Sequence, residues 1–367
     1  MRHAPDRTLL ILTAVLVVLG FLIFSSASLD LLAREGARFS SVALNQVLFG
    51  IVGGSIAFFI TSTVHYRVWR QFAFYICLAA LILTLAIFIP GLGFEHGGAT
   101  RWIRIGSFTV QPAEFLKIAF IIYMATWLSG MKKNITSFTR GTLVFVGLLA
   151  LPGILLLLQP DTDTYLIIGV ASVAMFITAG GRIRDVALMA LCGIVLVTVL
   201  ALTRDYVKER ILTFIDPSRD PQGAGYQINQ SLIAVGSGGY LGRGFGQSIQ
   251  KFEYLPEPIG DSVFAVYAEE FGFIGSLVLL GIYVAFTLRG FRVASHAPDL
   301  FGMLLVVGIV SLIATQVCLN IAAMLGIAPL SGLPLPFISH GGTALLALLA
   351  SVGIVINVSK YQKATPI

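Results

Sequence analysis

Long apolar runs constrain what this chain can fold into more than any other feature. Ten stretches have roughly the length, about 17–25 residues, that a helix needs to cross a bilayer. Hydrophobic residues make up 57% of the chain and charged residues only 11%, against about 25% charged in a soluble domain. The predicted fold class is therefore an all-α integral membrane protein, in which residues 1–367 form a single polytopic domain with ten transmembrane helices. The predicted spans are Leu9–Ala27, Leu44–Thr63, Phe72–Ile89, Ala113–Leu128, Thr142–Leu158, Tyr165–Ala179, Val186–Leu202, Ser262–Leu288, Leu300–Met324 and Thr343–Val358.

The N-terminal run has a second interpretation. Arg2 and Arg7, an apolar stretch and the small residues after it also form the pattern of a secretory signal. The stretch from Leu9 to Phe24 is long for the apolar part of a signal, and further spans follow it. We therefore interpret it as the first transmembrane helix.

Basic residues are distributed unequally among the connections, and this predicts the orientation. If the N-terminus is cytoplasmic, the inner segments hold thirteen Lys and Arg residues and the short outer loops hold four. Both termini are then cytoplasmic, and residues 203–262 form a long extracytoplasmic loop between helices 7 and 8. The thirteen are Arg2, Arg7, Arg67, Arg70, Lys132, Lys133, Arg140, Arg182, Arg184, Arg289, Arg292, Lys360 and Lys363, and the four are Arg34, Arg38, Arg101 and Arg104.

Several classes of function are disfavoured. The net charge of +6 reflects membrane topology, so no nucleic acid is expected as a partner. The sequence contains no G-x-x-x-x-G-K-[ST] loop for a nucleotide. Cys77, Cys192 and Cys318 lie inside apolar runs and predict neither a disulfide framework nor a zinc site.

The long loop contains two distinctive segments. The glycine cluster Gly236–Gly246 is either a flexible loop or a backbone cradle for phosphate. No predicted strand precedes it, which argues against a dinucleotide fingerprint. The segment Asp205–Ile215 is amphipathic and is expected to lie along the membrane surface.

Asp261 stands where this loop meets the eighth apolar run, so its carboxylate is expected at the boundary between water and lipid. Pro256, Pro258 and Gly260 make the approach stiff and then tightly turned, which would fix the direction of a general base. The alternative is that Asp261 is an N-cap that satisfies a backbone N–H of the helix.

A second group of charges lies around the start of the fourth span. Glu114 and Lys117 are three residues apart and share one helical face, either as a structural ion pair or at the edge of a cavity. Arg101 and Arg104 precede them and are either surface charges or ligands for phosphate.

Other polar residues are expected on the same side of the membrane. Glu269 and Glu270 should face the helix bundle or a partner, and at least one is expected to be structural. We group Glu257, Ser339 and His340 with the residues that bind substrate or support the site.

Four motifs in this order resemble those of the SEDS family of bacterial peptidoglycan polymerases, nearly from end to end. The glycine-rich and LPLPFISHGG segments resemble the division-type branch, FtsW, more closely than the elongation-type branch, RodA. The motifs are RWIRIGSFTVQPAEFLK, LLQPD, GYQINQSLIAVGSGGYLGRGFGQSIQKFEYLPEPIGDSVFAVYAEEFGFIG and PLSGLPLPFISHGGTALL.

The resemblance implies ten helices and a glycosyltransferase that polymerises lipid II outside the cytoplasmic membrane. The family's essential acid falls on Asp261, and its intramembrane Glu and Lys fall on Glu114 and Lys117. The implied donor is a glycan on undecaprenyl pyrophosphate. The implied partners are a class B penicillin-binding protein and other cell-wall or division proteins. Whether a divalent cation, Mg²⁺ or Mn²⁺, binds at Asp261 stays open.

Two other classes of function compete with a polymerase. A lipid II flippase or secondary carrier would also have ten helices with charges inside spans. However, the two halves show no convincing internal repeat, and the polar residues gather on one side. A scaffold for division proteins would need no outward cluster of acids.

Overall fold

The structure is a computed structural model that describes residues 4–34, 36–96, 99–105, 108–131, 134–252 and 254–362. Short π-helical stretches, Asn45–Gly53 and Phe138–Thr142, continue into α4 and α7. The α-helices are α1 (Arg7–Ala27), α2 (Leu29–Arg34), α3 (Gly36–Leu44), α4 (Gly54–Thr63), α5 (Arg67–Leu85), α6 (Pro112–Met131), α7 (Leu143–Leu158), α8 (Thr162–Thr178), α9 (Ile183–Thr203), α10 (Asp205–Ile215), α11 (Ala224–Ser237), α12 (Val263–Ser295), α13 (Leu300–Met324) and α14 (Gly342–Ser359).

The multi-pass membrane fold predicted from the apolar runs is confirmed. Within the described residues, nine helices are long and apolar enough to cross a membrane. The predicted sixth span corresponds to α8, which is apolar but has only 17 residues. The count of ten therefore stays a prediction. So does the orientation, part of which depends on Arg2, Lys132, Lys133 and Lys363, outside the described residues.

The structure departs from the predicted elements in two places. A small antiparallel sheet precedes α6, with strands β1 (Gly93–His96), β2 (Ala99–Ile105) and β3 (Phe108–Val110) in the order β1-β2-β3. The eighth span, predicted to end at Leu288, continues as α12 to Ser295. An apolar run ends at its first charges, here Arg289 and Arg292, but the helical backbone does not have to end there.

Residues 203–262, which the sequence predicts as a long loop, are partly helical. They contain α10, a 3₁₀ turn at Pro217–Arg219 and α11. The side chain of Asp220 accepts hydrogen bonds from the N–H groups of Gly223 and Ala224, at 2.9 and 2.7 Å, and so fixes where α11 begins. The segment is thus a folded layer that rests on α12 and α13.

α13 lies at the centre of the bundle and packs against α6, α8 and α12, while α14 packs against α4. In the most apolar 18-residue stretch of α13, 78% of the residues are buried, whereas none of the residues in the corresponding stretch of α9 is buried. Inside lipid, an exposed apolar helix such as α9 has no need of a protein partner. The central position of α13 matters for the site, because its polar side chains reach the elements on either side.

Candidate active site

Asp261 is the last residue but one before α12 and is carried by a tight turn. The N–H of Gly260 donates to the carbonyl oxygen of Glu257 at 2.9 Å, which closes the turn. Glu257 has a φ of 47°, a left-handed conformation that non-glycine residues seldom adopt. The N-cap of α12 is Ser262, so the structure does not support the alternative that Asp261 caps the helix.

The turn is tied to the segment 331–340 that precedes α14. Ser339 Oγ donates to the carbonyl of Gly260 at 2.6 Å, and the N–H of His340 donates to the carbonyl of Ile259 at 2.7 Å. Asn320 Nδ2 on α13 donates both to the carbonyl of Asp261, at 2.8 Å, and to that of Leu333, at 2.7 Å. Two elements, α13 and the segment 331–340, therefore hold the backbone of Asp261 and its turn in place.

The carboxylate of Asp261 is half-buried and meets neutral donors. Gln227 Nε2 donates to Oδ1 at 3.1 Å, and Ser262 Oγ lies 3.4 Å from the same oxygen. Burial, and secondarily the charge of Glu257, raises the pKa of Asp261 from 3.8 to about 7. A carboxylate with this pKa can take up a proton near neutral pH, as a general base must.

Glu114 and Lys117 form a buried ion pair beside this turn. Lys117 Nζ lies 2.8 Å from Glu114 Oε1 and 3.1 Å from Gln316 Oε1, and the two charged side chains are only 7% and 3% exposed. They line a small cleft together with Gln316, Leu335, Ser339 and Ser351. Because Ser339 also binds the turn of Asp261, the ion pair and the acid belong to one connected site.

Gln316 and Asn320 connect the two parts of this site. They are four residues apart on one face of α13. Gln316 Nε2 donates to the carbonyl of Pro334 at 2.8 Å, directly beside the Leu333 carbonyl that binds Asn320. The sequence analysis did not identify Gln316 as part of the site. The signal was present, since two amides at helical spacing in an apolar span are costly unless both have partners.

The two arginines have different surroundings. Arg101 on β2 donates to the backbone oxygens of Gln159 and Pro160. Its Nη1 also lies close to Gly332, about where a side chain at that position would begin. It therefore borders the segment that holds Asp261. Arg104 is exposed, with its guanidinium carbon 5.3 Å from the ring centroid of Phe94.

His340 is unsuited to bind phosphate through charge. Burial lowers the pKa of its imidazole to about 4, so the ring is neutral at pH 7. The ring stacks on Phe24 with centroids 6.0 Å apart. His340 thus contributes its backbone N–H and its packing.

Glu269 and Glu270 anchor the folded layer on the membrane helices. Glu270 Oε1 lies 2.8 Å from Lys251 Nζ and 2.5 Å from Ser26 Oγ. Glu269 accepts from Ser248 Oγ at 2.6 Å and from the N–H groups of residues 249 and 250, and Arg243 Nε lies 3.2 Å from it. Both carboxylates are buried and face the bundle, as predicted, and both have structural partners.

The glycine cluster is neither a flexible loop nor an open phosphate cradle in this structure. α12 is interrupted at Gly272, and the cluster satisfies the backbone groups on both sides of the break. The N–H groups of Arg243 and Gly244 donate to the carbonyls of Glu269 and Glu270, each at 3.0 Å. A Cβ on Gly242, whose φ is 81°, would lie 2.1 Å from the Glu270 oxygen. Glycine permits this close contact.

A resident divalent cation is not favoured by the side chains around Asp261. Within the described ranges, no group of three or more His, Cys, Asp or Glu side chains could hold a metal ion. A cation at Asp261 would have to take most of its ligands from substrate and water. No chemical step below involves one.

Comparisons with known proteins cover almost the whole chain. Residues 6–364 match the FtsW/RodA/SpoVE family model, described as cell cycle protein. The chain is 39% identical to stage V sporulation protein E of Bacillus subtilis over 99% of both chains. It is 37% identical to a probable peptidoglycan glycosyltransferase FtsW of Geobacter metallireducens, over 98% of this chain and 96% of the relative.

Two solved structures share the fold. A chain from a peptidoglycan synthase complex, studied for the coordination of polymerization and crosslinking, has a TM-score of 0.80 and 30% identity over 98% of this chain and 99% of its own. The rod shape determining protein RodA of Thermus thermophilus has a TM-score of 0.70 and 26% identity over the same shares. The protein is therefore a member of the FtsW/RodA/SpoVE family, the SEDS family that its sequence motifs resemble.

Proposed function

We propose that the protein is a peptidoglycan glycosyltransferase that polymerises lipid II, with Asp261 as its general base. One observation supports this most strongly: the acid with a pKa of about 7 is held by α11, α13 and the segment 331–340 beside the cleft of Glu114 and Lys117. Relatives named probable peptidoglycan glycosyltransferase FtsW agree with this chemistry. The 37% identity to a probable FtsW over nearly the whole chain agrees with the division-type branch as our first choice.

In the reaction, the 4-hydroxyl of the GlcNAc of lipid II attacks the anomeric carbon of the growing glycan. Its proton passes to Asp261 as the new glycosidic bond forms, and the bond from the anomeric carbon to undecaprenyl pyrophosphate breaks. Pyrophosphate is a good leaving group, so no second carboxyl is needed as an acid, unlike in a glycosidase. The activated lipid supplies the free energy, which agrees with the absence of a nucleotide motif.

The leaving pyrophosphate needs positive charge. Lys117 has three N–H donors, of which two contact Glu114 and Gln316. Because Lys117 lines the cleft, we assign its ammonium group to contact a phosphate oxygen there. Arg101 is the second cation, since it lies at the adjoining segment and donates its hydrogen bonds to backbone carbonyls, with Asp161 as a nearby acidic group.

The active site is proposed to lie on the extracytoplasmic side of the bacterial cytoplasmic membrane, where the layer formed by α10 and α11 meets α12. The new strand would be crosslinked by a class B penicillin-binding protein bound to this chain. A complex of this kind is supported by the 0.80 TM-score to a chain of a peptidoglycan synthase complex.

The test uses purified protein, labelled lipid II and gel separation of the glycan products, with and without the transpeptidase partner. We expect polymer from the wild type and none from Asp261→Ala. A matched assay in proteoliposomes measures movement of lipid II between leaflets, which a flippase would catalyse. Lipid II movement without polymer, or full polymerisation by Asp261→Ala, would refute the proposed function.

A further inference from the structure

Gln227 is the side chain of α11 that reaches the acid. Its Nε2 lies 3.1 Å from Asp261 Oδ1 and 2.9 Å from Ser262 Oγ. Thirty-four positions separate Gln227 from Asp261, so neither motif spacing nor helical periodicity indicates this contact. It depends on how the folded layer rests on the start of α12.

The three groups form a closed arrangement. Ser262 Oγ accepts from Gln227 and lies 3.4 Å from Asp261 Oδ1, and Ser262 itself is fully buried. An ionised carboxylate only accepts hydrogen bonds, so the amide nitrogen of Gln227, and not its oxygen, must face Asp261. Both side-chain contacts of Asp261 that the structure contains therefore converge on Oδ1.

We propose that Gln227 is a positioning residue that holds Oδ1 of Asp261 and leaves Oδ2 to take the proton of the attacking hydroxyl. The inference rests on the proposed function. A carboxylate on a short side chain can rotate about its Cβ–Cγ bond, and a backbone anchor does not prevent this. The Gln227 amide fixes that rotation, as pre-organised catalytic groups require.

The charges around Asp261 limit what else could set its protonation. Its own turn provides Glu257, whose negative charge opposes ionisation. The elements packed against the turn present uncharged Gln227, Asn320 and Ser339, and a neutral His340. On α6, Glu114 and Lys117 pair with each other. Gln227 is the side-chain donor with the shorter contact to the carboxylate, 3.1 Å against 3.4 Å for the Ser262 hydroxyl. It favours the charged form more than the backbone N–H groups of residues 261 and 262 do.

The first test compares Gln227→Leu with Gln230→Leu, the same replacement at another half-buried position of α11. The rate of lipid II polymerisation is measured from pH 5.5 to 9.5. Loss of the donor raises the pKa of Asp261, so for Gln227→Leu we expect the midpoint of the rising limb to move up by about one pH unit. At pH 7 the rate then falls about fivefold, and at pH 9 it recovers to about nine-tenths of the wild-type rate. Gln230→Leu should keep the wild-type midpoint.

A second measurement does not need polymerase activity. A hydrophobic carbodiimide modifies protonated carboxyl groups, and mass spectrometry of the Asp261 peptide gives the labelled fraction at each pH. We expect the labelling midpoint to rise in Gln227→Leu. It should rise further in the nearly isosteric Gln227→Glu, which places a second carboxylate against Asp261.

The outcomes separate the two proposals. A wild type that makes no polymer refutes the proposed function, yet the labelling midpoints still test Gln227. If Gln227→Leu lowers the rate equally at every pH and leaves both midpoints at the wild-type values, Gln227 acts only through packing. That result would overturn the assignment.

Discussion

Asp261 and the pair Glu269 and Glu270 lie within ten residues of each other at the N-terminal end of α12, yet their surroundings are opposite. Asp261 is half-buried and meets amide and hydroxyl donors. Glu270 is fully buried against the ammonium of Lys251, and Glu269 is surrounded by two backbone N–H groups, Ser248 and Arg243.

The two environments explain why Asp261, and not the glutamates, suits the proposed role of general base. A carboxylate whose oxygens are occupied by cations and strong donors has no capacity left for substrate. A carboxylate whose partners are few and neutral has a raised pKa and can exchange a proton. The proposed chemistry therefore depends on the lack of a cationic partner at Asp261 among the described residues as much as on its neutral donors.

The largest expected effect is on the rate, from Asp261→Asn. Loss of the general base should lower the polymerisation of lipid II about 10²–10⁴-fold. Burial raises the pKa of this carboxyl above its value in the unfolded chain. The wild-type protein therefore loses folding stability as the pH rises from about 4 through about 7, because ionising the buried group is unfavourable. At pH 8 the variant should therefore unfold in detergent at the wild-type temperature or above it. A clearly lower unfolding temperature would mean that Asp261 stabilises the fold, as the glutamates do.

The opposite phenotype is expected from Glu270→Gln. The substitution leaves the ammonium of Lys251 buried without its charged partner, which costs about 3–5 kcal/mol of unfolding free energy. Thermal unfolding in detergent measures this loss. The control is the double variant Glu270→Gln/Lys251→Met, which removes both charges and should recover most of the stability. Equal destabilisation of the single and double variants would contradict a role for the ion pair.

A smaller loss of stability is expected where the glycine cluster packs against α12. In Gly242→Ala the new Cβ meets the Glu270 oxygen and the backbone has a positive φ, so we expect a loss of about 1–3 kcal/mol. Gly236→Ala is the matched control, because a Cβ at this helical position of α11 has nothing within 4 Å. It should be neutral or slightly stabilising. If both variants unfold at the same temperature, the contact between the glycine cluster and α12 does not stabilise the N-terminal part of α12.

The smallest effect is expected from Glu257→Gln. The charge of Glu257 raises the pKa of Asp261, so its removal should lower that pKa and move the rising limb of the pH–rate profile down by less than about one unit. The control Glu209→Gln removes the same charge from an exposed position on α10 and should leave the midpoint unchanged. An upward shift in Glu257→Gln would contradict the sign of this interaction.

Much of the fold followed from local patterns. The spans are apolar runs of membrane length, and nine helices of the described residues have that length and composition. The ion pair of Glu114 and Lys117 follows from a spacing of three on one helix. The amphipathic segment Asp205–Ile215 corresponds to the helix α10, whereas α11 and the break at Gly272 were not predicted. The break was missed because the backbone groups beside it bond to the glycine cluster, which is distant in the chain.

The sequence by itself determined the membrane class, the stiff turn before α12 and the acid that the turn carries. Only the tertiary structure decided the partners of each acid. The contacts that hold Asp261 join it or its turn to residues 34, 59 and 79 positions away. Local periodicity encodes neighbours within a turn or a strand, whereas a hydrogen bond between distant segments exists only after those segments have packed.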